Sequence, residues 1–235
     1  MDGVAEAMTE GTACGVRVVP AVELSVRPPT GTMHLLGYFR DALPQPLSDR
    51  IGAIAAFRAD RNRAIVELLA ELGVPVDWAD VARRARGRVG RPHIAAALVE
   101  AGHVATAQEA FDRWIGADGP AYVEAGSISA QDAVALVAQS AGAPVLAHPA
   151  SLRLDDGPLE AFVAQLRSAG LRGVEVYRPD HDSDRRAAYA AICGRTGLVP
   201  SGGSDFHREA LDCAEVGDCG PAPLPPDTVE RLLES

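Results

Sequence analysis

Leu198-Val199-Pro200-Ser201-Gly202-Gly203-Ser204-Asp205-Phe206-His207 is a strand-like apolar run that passes through small residues into a carboxylate and an imidazole. Val145-Leu146-Ala147-His148-Pro149 follows the same plan upstream, an apolar run that delivers His148. Imidazole nitrogen and carboxylate oxygen suit Zn, Mn and Fe, and a mixed N/O set with open positions is what hydrolytic metal sites need. The glycines and serines before Asp205 let the backbone turn sharply and approach an ion or a phosphate closely. One Asp-x-His says little. Two strand-end motifs of this kind, with further candidates upstream, point to a metal site.

Working outward, the other strand-like runs are Val16–Ala21 leading to Glu23, Met33–Tyr38 carrying His34, and Gly173–Tyr177. Between the later runs the pattern predicts helices over Ala130–Ala141 behind Ser129 as N-cap, Pro158–Ala169 stopped by Gly170, and Ser183–Arg195 stopped by Gly197. Strand, helix, strand, helix is the order of a parallel α/β barrel or sheet. Such folds place their active sites at the C-terminal ends of the strands, where the polar residues of this chain collect.

The middle has another texture. Ser48 reads as the N-cap of a helix to about Leu72, with Ile51, Ile54, Ile65, Leu68, Leu69 and Leu72 at helical spacing and Gly73 and Pro75 ending it. More helices are predicted around Trp78–Ala85, His93–Ala101 and Ala107–Ile115, with no strand between Arg40 and Tyr122. The division is therefore an α/β domain over 1–45 and 122–235 and a helical insert over 46–121. Pro44-Gln45-Pro46 marks the entrance and Gly116–Pro120 the exit, and a Pro-rich tail over Gly220–Pro226 precedes a short helix from Asp227.

Composition narrows the class. A chain of 235 residues can bury a full core, and 47% hydrophobic with 23% charged residues is globular material. No apolar run approaches the roughly 18 residues that span a bilayer, and the acidic N-terminus is no secretory signal. A net charge of −10 argues against an extended surface coated by nucleic acid, though not against a local basic pocket. Cys14, Cys193, Cys213 and Cys219 form no CxxC pair and read as free thiols of a reducing cytoplasm.

Two constellations remain. Glu23 lies in Val22-Glu23-Leu24-Ser25, where a carboxylate among apolar neighbours is costly unless paired or bound to a cation. His34 follows in Met33-His34-Leu35-Leu36. Taken alone, the first also reads as a strand end facing water, and the second more often as a hydrogen-bonded core histidine than as a ligand. A barrel would bring both to the same mouth as His148, Asp205 and His207, which makes all five candidate metal ligands. The second constellation is basic: Arg83, Arg84, Arg86, Arg88 and Arg91, followed by Pro92-His93. Arg83, Arg84 and Arg86 read equally as a salt-bridged helix face. Arg91 and His93 sit in a constrained turn opening a helix, where anions are favoured, and are candidate phosphate contacts. His181, in Arg178-Pro179-Asp180-His181, is a candidate phosphate contact or general acid, or a loop histidine. His103 reads as structural, and Trp78 and Trp114 as core of the insert.

Val22-Glu23-Leu24-Ser25, His34-Leu35-Leu36-Gly37-Tyr38, Gly90-Arg91-Pro92-His93, Ala147-His148-Pro149, Gly173-Val174-Glu175-Val176-Tyr177, His181 and Gly202-Gly203-Ser204-Asp205-Phe206-His207 occur in this order. That set resembles the PHP (polymerase and histidinol phosphatase) superfamily. Within it the chain is most similar to phosphoesterases that hydrolyse nucleoside 3′,5′-bisphosphates and trim short RNA from the 5′ end. The resemblance implies a distorted seven-stranded α/β barrel and a site for up to three divalent ions, commonly manganese, with zinc or iron as other occupants. It implies Glu23 as a bridging ligand, His34 and His148 completing one metal, and Asp205 and His207 serving others. Arg91, His93 and His181 would grip substrate phosphates, and His181 would protonate the leaving group. The implied substrate is a small phosphorylated nucleotide or a short oligonucleotide.

The family opens with a strand bearing His-x-His and an Asp, and a second strand ending in Asp-His-Asp. This sequence carries neither, and begins at a segment resembling the helix after that second strand. The expectation is a barrel missing its first two strands, in an N-terminally incomplete form of the enzyme. The rivals are a degenerate phosphate- or nucleotide-binding relative and a histidinol-phosphatase-like hydrolase.

Overall fold

The computed structural model describes residues 3–85, 89–123, 128–207 and 215–234. Arg86, Arg88 and Cys213 lie outside the described residues. The chain divides into two compact units, residues 1–48 with 127–235 and residues 49–126.

The first unit is built on a five-stranded sheet whose strands lie side by side in chain order: β1 (Ala21–Val26), β2 (Met33–Tyr38), β3 (Ala143–Leu146), β4 (Gly173–Tyr177) and β5 (Val199–Gly202). The pairs β3–β4 and β4–β5 are parallel, as the alternating pattern predicts. Their crossovers carry α7 (Asp156–Ser168) and α8 (Ser183–Thr196). The pairs β1–β2 and β2–β3 are antiparallel, which corrects the expectation of a parallel sheet throughout. The reason for the first is chain length. Parallel neighbours need a crossover of about a dozen residues or more, and the short loop from Arg27 to Thr32 can only fold β2 back along β1.

β1 also starts later than its apolar run suggests. Val16 is 61% exposed, and the ladder begins after Pro20, whose ring nitrogen has no hydrogen to donate. Glu23 is therefore inside the strand rather than beyond its end. In β1, Leu24 and Val26 are buried while Glu23 and Ser25 face out; in β2, Met33 and Leu35 are buried while His34 is on the other face. Period-two alternation thus puts the polar side chains of both strands on the same side.

β3 is buried along its whole length, as suits a strand covered on both faces. α6 (Ala130–Gln139) packs on β3 and α8 on β4. On the other side, α9 (Thr228–Leu233) packs Leu232 and Leu233 with Ala143 and Val145. The helix ends follow their predicted chemistry. The Ser129 hydroxyl accepts the Asp132 N–H, and Gly197 closes α8 at φ 67°. A further helix, α1 (Gly3–Cys14), precedes the sheet.

The second unit has no strand among its described residues. It contains most of α2 (Gln45–Glu71), then α3 (Trp78–Arg84), α4 (Arg91–Glu100) and α5 (Ala107–Ala110), which runs into a π-helical turn at Phe111–Ile115. Ile65, Leu69, Val81, Ile94, Leu98 and Ile115 form its core, with Trp78 and Trp114 packed against it. Arg83 pairs with Asp80 and Arg84 with Glu100, so these two arginines belong to a salt-bridged helix face. His103 bonds the Pro75 carbonyl oxygen at 2.9 Å, a structural contact. No helix among the described residues is long and apolar enough to cross a membrane.

Candidate metal centre

The β1–β2 ladder sets Ser25 opposite His34 and Glu23 opposite Leu36. Glu23 and His34 are therefore diagonal neighbours on one face, a separation that long side chains can span. They do so: Glu23 Oε1 lies 2.7 Å from His34 Nδ1. β3 continues the same face. Its last residues carry the chain past His34, whose carbonyl oxygen accepts the Ala147 N–H, and deliver His148. His148 Nε2 is 3.0 Å from His34 Nδ1 and 3.7 Å from Glu23 Oε1, and the two rings meet edge to face.

Two further contacts fix His148, whose φ of 26° is unusual for a side chain with a Cβ. Its N–H donates to Glu175 Oε2 at 2.8 Å. Its Nδ1 is 2.9 Å from Ser151 Oγ in the 3₁₀ turn Pro149–Leu152, and the Ser151 hydroxyl itself donates to the Thr32 carbonyl oxygen. A hydroxyl whose hydrogen is committed elsewhere can only accept, so Nδ1 carries the hydrogen and Nε2 is left to face Glu23 and His34. Gly31 makes the approach of this turn possible. At φ 60°, a Cβ there would stand 2.2 Å from the Ser151 carbonyl oxygen.

Asp205 and His207 arrive from the loop after β5. Asp205 also has a positive φ, 57°. One ligand atom each from Glu23, His34 and His148 lie within 4.8 Å of one another, and the same holds for Glu23, Asp205 and His207. Glu23 belongs to both groups. The glycine signal before Asp205 has a specific cause at Gly202, where a Cβ would lie 2.3 Å from the Tyr177 carbonyl oxygen, at the β4–β5 irregularity. The close approach it permits is that of the neighbouring strand.

The donor set fits a divalent cation. Glu23 Oε1, His34 Nδ1 and His148 Nε2 form a triangle with edges of 2.7, 3.0 and 3.7 Å. Adjacent donors about 2.1 Å from a common ion would stand roughly 3.0–3.4 Å apart. Two imidazole nitrogens this close cannot both present lone pairs without a proton or a cation beside them. Without metal, protons do the work. The His148 and His34 imidazoles beside it hold the Glu23 carboxyl far below the ordinary carboxylate range, and the Glu23 partner raises the His148 pKa.

These five predicted ligands line one cavity of about 450 Å³, together with Ala150, Ser151, Arg178 and Asp180. Ser151, Arg178 and Glu175 had no assigned role in the sequence reading. Arg178 is buried, with Nη1 3.1 Å from Glu175 Oε2, Nε 2.9 Å from Asp180 Oδ1 and Nη2 3.6 Å from Asp205 Oδ2. Burial alone would lower its pKa, but Asp180, Glu175 and Asp205 more than offset this and raise it. For Glu175 burial dominates and raises the pKa. A signal for Glu175 was present, a carboxylate inside the apolar run Gly173-Val174-Glu175-Val176. Nothing in the sequence marked Arg178 or Ser151.

The remaining candidates are placed differently. His181 is 2% exposed, packs edge-on against Tyr189, and has Nδ1 3.0 Å from the Val176 carbonyl oxygen. It is not among the cavity-lining residues described, and burial lowers its pKa. Its Nδ1 is engaged with the backbone of β4, and burial disfavours the charged imidazolium. Arg91 and His93 lie in the second unit, on the first turn of α4. Arg91 donates to the Ile115 carbonyl oxygen and packs over Phe111 and Tyr122, while His93 Nδ1 accepts the Gly90 N–H.

No family model matches the chain. It is 28% identical over 239 residues to a 3′,5′-nucleoside bisphosphate phosphatase of Chromobacterium violaceum, covering 99% of this chain and 82% of that protein. It is also 28% identical to a 5′-3′ exoribonuclease of Salmonella typhimurium, over 82% of this chain and 66% of that one. Among solved structures, one assigned as a metal-dependent phosphoesterase of Bifidobacterium adolescentis superposes with a TM-score of 0.70 at 28% identity, over 97% of this chain and 80% of the other. The resemblance to metal-dependent phosphoesterases read from the motifs is borne out.

Proposed function

We propose that this chain is a metal-dependent phosphoesterase that hydrolyses phosphate monoesters of nucleotides, a nucleoside 3′,5′-bisphosphate or the 5′ end of a short RNA, in the cytoplasm. The observation that carries the reading is that Glu23 belongs to both ligand groups of one open cavity, an arrangement suited to a cluster of divalent ions. The substrate class is supported by the relatives, one named for nucleoside bisphosphates and one for RNA.

In this reading Glu23, His34 and His148 hold one ion, and Glu23, Asp205 and His207 another; manganese is the proposed metal, with up to three ions in a complete site. Bound divalent ions lower the pKa of water and neutralise charge developing on the phosphoryl oxygens. The reaction joins a water oxygen to phosphorus, breaks the P–O bond to the sugar, and leaves one water proton on the departing sugar oxygen. Ser151 keeps the Nδ1 proton on His148 so that Nε2 is available as a donor atom. His181, buried at Val176, is assigned no proton transfer. Arg91 and His93 are proposed phosphate contacts, on the strength of a helix N-terminus carrying a guanidinium. The same proposal reads β1–β5 as five strands of a distorted seven-stranded barrel, with 46–121 as its insert.

The test is phosphate release from adenosine 3′,5′-bisphosphate in Mn²⁺, with Asp205→Ala and His148→Ala beside the unsubstituted chain. Turnover that both substitutions abolish is expected. Turnover that survives both would refute the ligand assignment, and folded protein that binds Mn²⁺ without turnover would favour a binding module.

A further inference from the structure

We propose that the buried Arg178–Glu175 pair is a positioning device that holds the two strained metal ligands, His148 and Asp205, at a fixed separation. The inference rests on the metal reading above and adds to it a coupling between the two ligand groups.

Among the described residues four non-glycine residues have positive φ, and two of these are His148 and Asp205. A backbone held in a sparsely populated region persists only where its surroundings over-determine it. The determinants here converge on one ion pair. Glu175 is on β4, the middle strand of the three parallel ones, and Arg178 is the first residue beyond its end. Glu175 Oε2 receives both the His148 N–H at 2.8 Å, from the loop after β3, and Arg178 Nη1 at 3.1 Å. Arg178 Nη2 reaches Asp205, on the loop after β5, at 3.6 Å. Asp180, bonded to Nε, fixes the plane of the guanidinium.

The side chains of Arg178 and Glu175 are 7% and 6% exposed, so each needs the other. Removing one partner leaves an uncompensated buried charge. The Arg178 guanidinium reaches in three directions at once, toward Glu175, Asp180 and Asp205, which the planar fork of arginine does and the single ammonium of lysine does not. Partners that orient ligands in this way are worth about 10–100-fold in metal affinity.

The test is Mn²⁺ titration of the full chain without substrate, followed by the electron paramagnetic resonance signal of free Mn²⁺, for the unsubstituted protein, Arg178→Met and Arg178→Lys. Circular dichroism establishes which variants are folded. A roughly 10–100-fold loss of affinity in Arg178→Met, with a smaller loss in Arg178→Lys, is expected. Unaltered affinity in folded Arg178→Met would overturn the inference. Should Arg178→Met fail to fold, the lysine variant decides, since it keeps the charge: a loss supports the device, and unchanged binding overturns it. No Mn²⁺ binding by the unsubstituted chain would overturn the metal reading itself, a result distinct from binding that Arg178 does not influence.

Discussion

Glu23 and His34 touch at 2.7 Å although the ladder pairs neither with the other, since Ser25 stands opposite His34 and Leu36 opposite Glu23. The contact is diagonal and depends on register. A slip of one residue would send either side chain to the other face of the sheet. The site therefore inherits its geometry from the hairpin, and the hairpin's register is held by Leu24, Val26, Met33 and Leu35 on the buried face.

Because Glu23 belongs to both ligand groups and His34 to one, their substitutions should differ in stoichiometry. Glu23→Gln keeps the shape and removes the charge, and is expected to weaken Mn²⁺ binding at both groups by about 100-fold or more. His34→Ala should remove one site and spare the other. Calorimetric titration distinguishes them, and equal loss of sites in both variants would contradict the bridging role of Glu23.

The metal-free protein should show a definite pH dependence. Glu23 is depressed in the fold, so its contribution is present above the ordinary carboxylate pKa and is lost as pH falls through the folded value, in strong acid. His148 is raised, so its contribution is full below the ordinary imidazole pKa and is lost as pH rises through the higher folded value. In chelator, the thermal midpoint should therefore be highest in mildly acidic buffer and fall as the solution becomes alkaline. Metal must displace the His148 proton, so stabilisation by Mn²⁺ should grow over the same range. His148→Ala should remove the site's share of the alkaline fall, and an undiminished fall in that variant would refute the assignment.

Ser151→Ala removes the acceptor that keeps the hydrogen on His148 Nδ1. The ring is then free to turn or to change tautomer, and Mn²⁺ affinity should drop about 10-fold with little change in thermal midpoint. Ser151→Thr, which retains the hydroxyl, should recover most of it. Isothermal titration of both variants is the check.

The residues that gather in the cavity were legible because each is a side chain of metal-binding type at or near an apolar run, and the order of the runs supplied the α/β class. Three things were hidden. The direction of β1 and β2 depends on the short loop between them, which the assumption of a wholly parallel sheet overrode. The start of β1 was misplaced because Val16–Pro20 is as apolar as a strand, yet Val16 is exposed and Pro20 has no N–H to give a ladder. Arg178 reads as a surface residue in sequence; only the fold, by stacking β3, β4 and β5, surrounds it with Glu175, Asp180 and Asp205. The burial of His181 was equally hidden, since Pro179-Asp180-His181 reads as an exposed loop and the fold covers it.

Gly202 connects the sheet to the second ligand group, and its substitution can separate stability from metal binding. A Cβ at this position would meet the Tyr177 carbonyl oxygen at 2.3 Å and the Tyr177 Cβ at 2.7 Å, so β5 must move away from β4. Overpacking of this kind costs about 1–3 kcal/mol. Asp205 and His207 follow on the same segment and move with it, whereas His34 and His148 are carried by β2 and the end of β3. Gly202→Ala is thus expected to weaken binding at the Glu23–Asp205–His207 group while sparing the Glu23–His34–His148 group. Leu146→Ala is the control: it empties a fully buried position in β3, should cost about 2–5 kcal/mol, and lies two residues before His148. Urea unfolding gives the two stabilities and Mn²⁺ titration the two affinities. If Gly202→Ala lost both ion sites in proportion to its stability, as a general loosening of the sheet would produce, the close β4–β5 contact would have no separate part in placing Asp205.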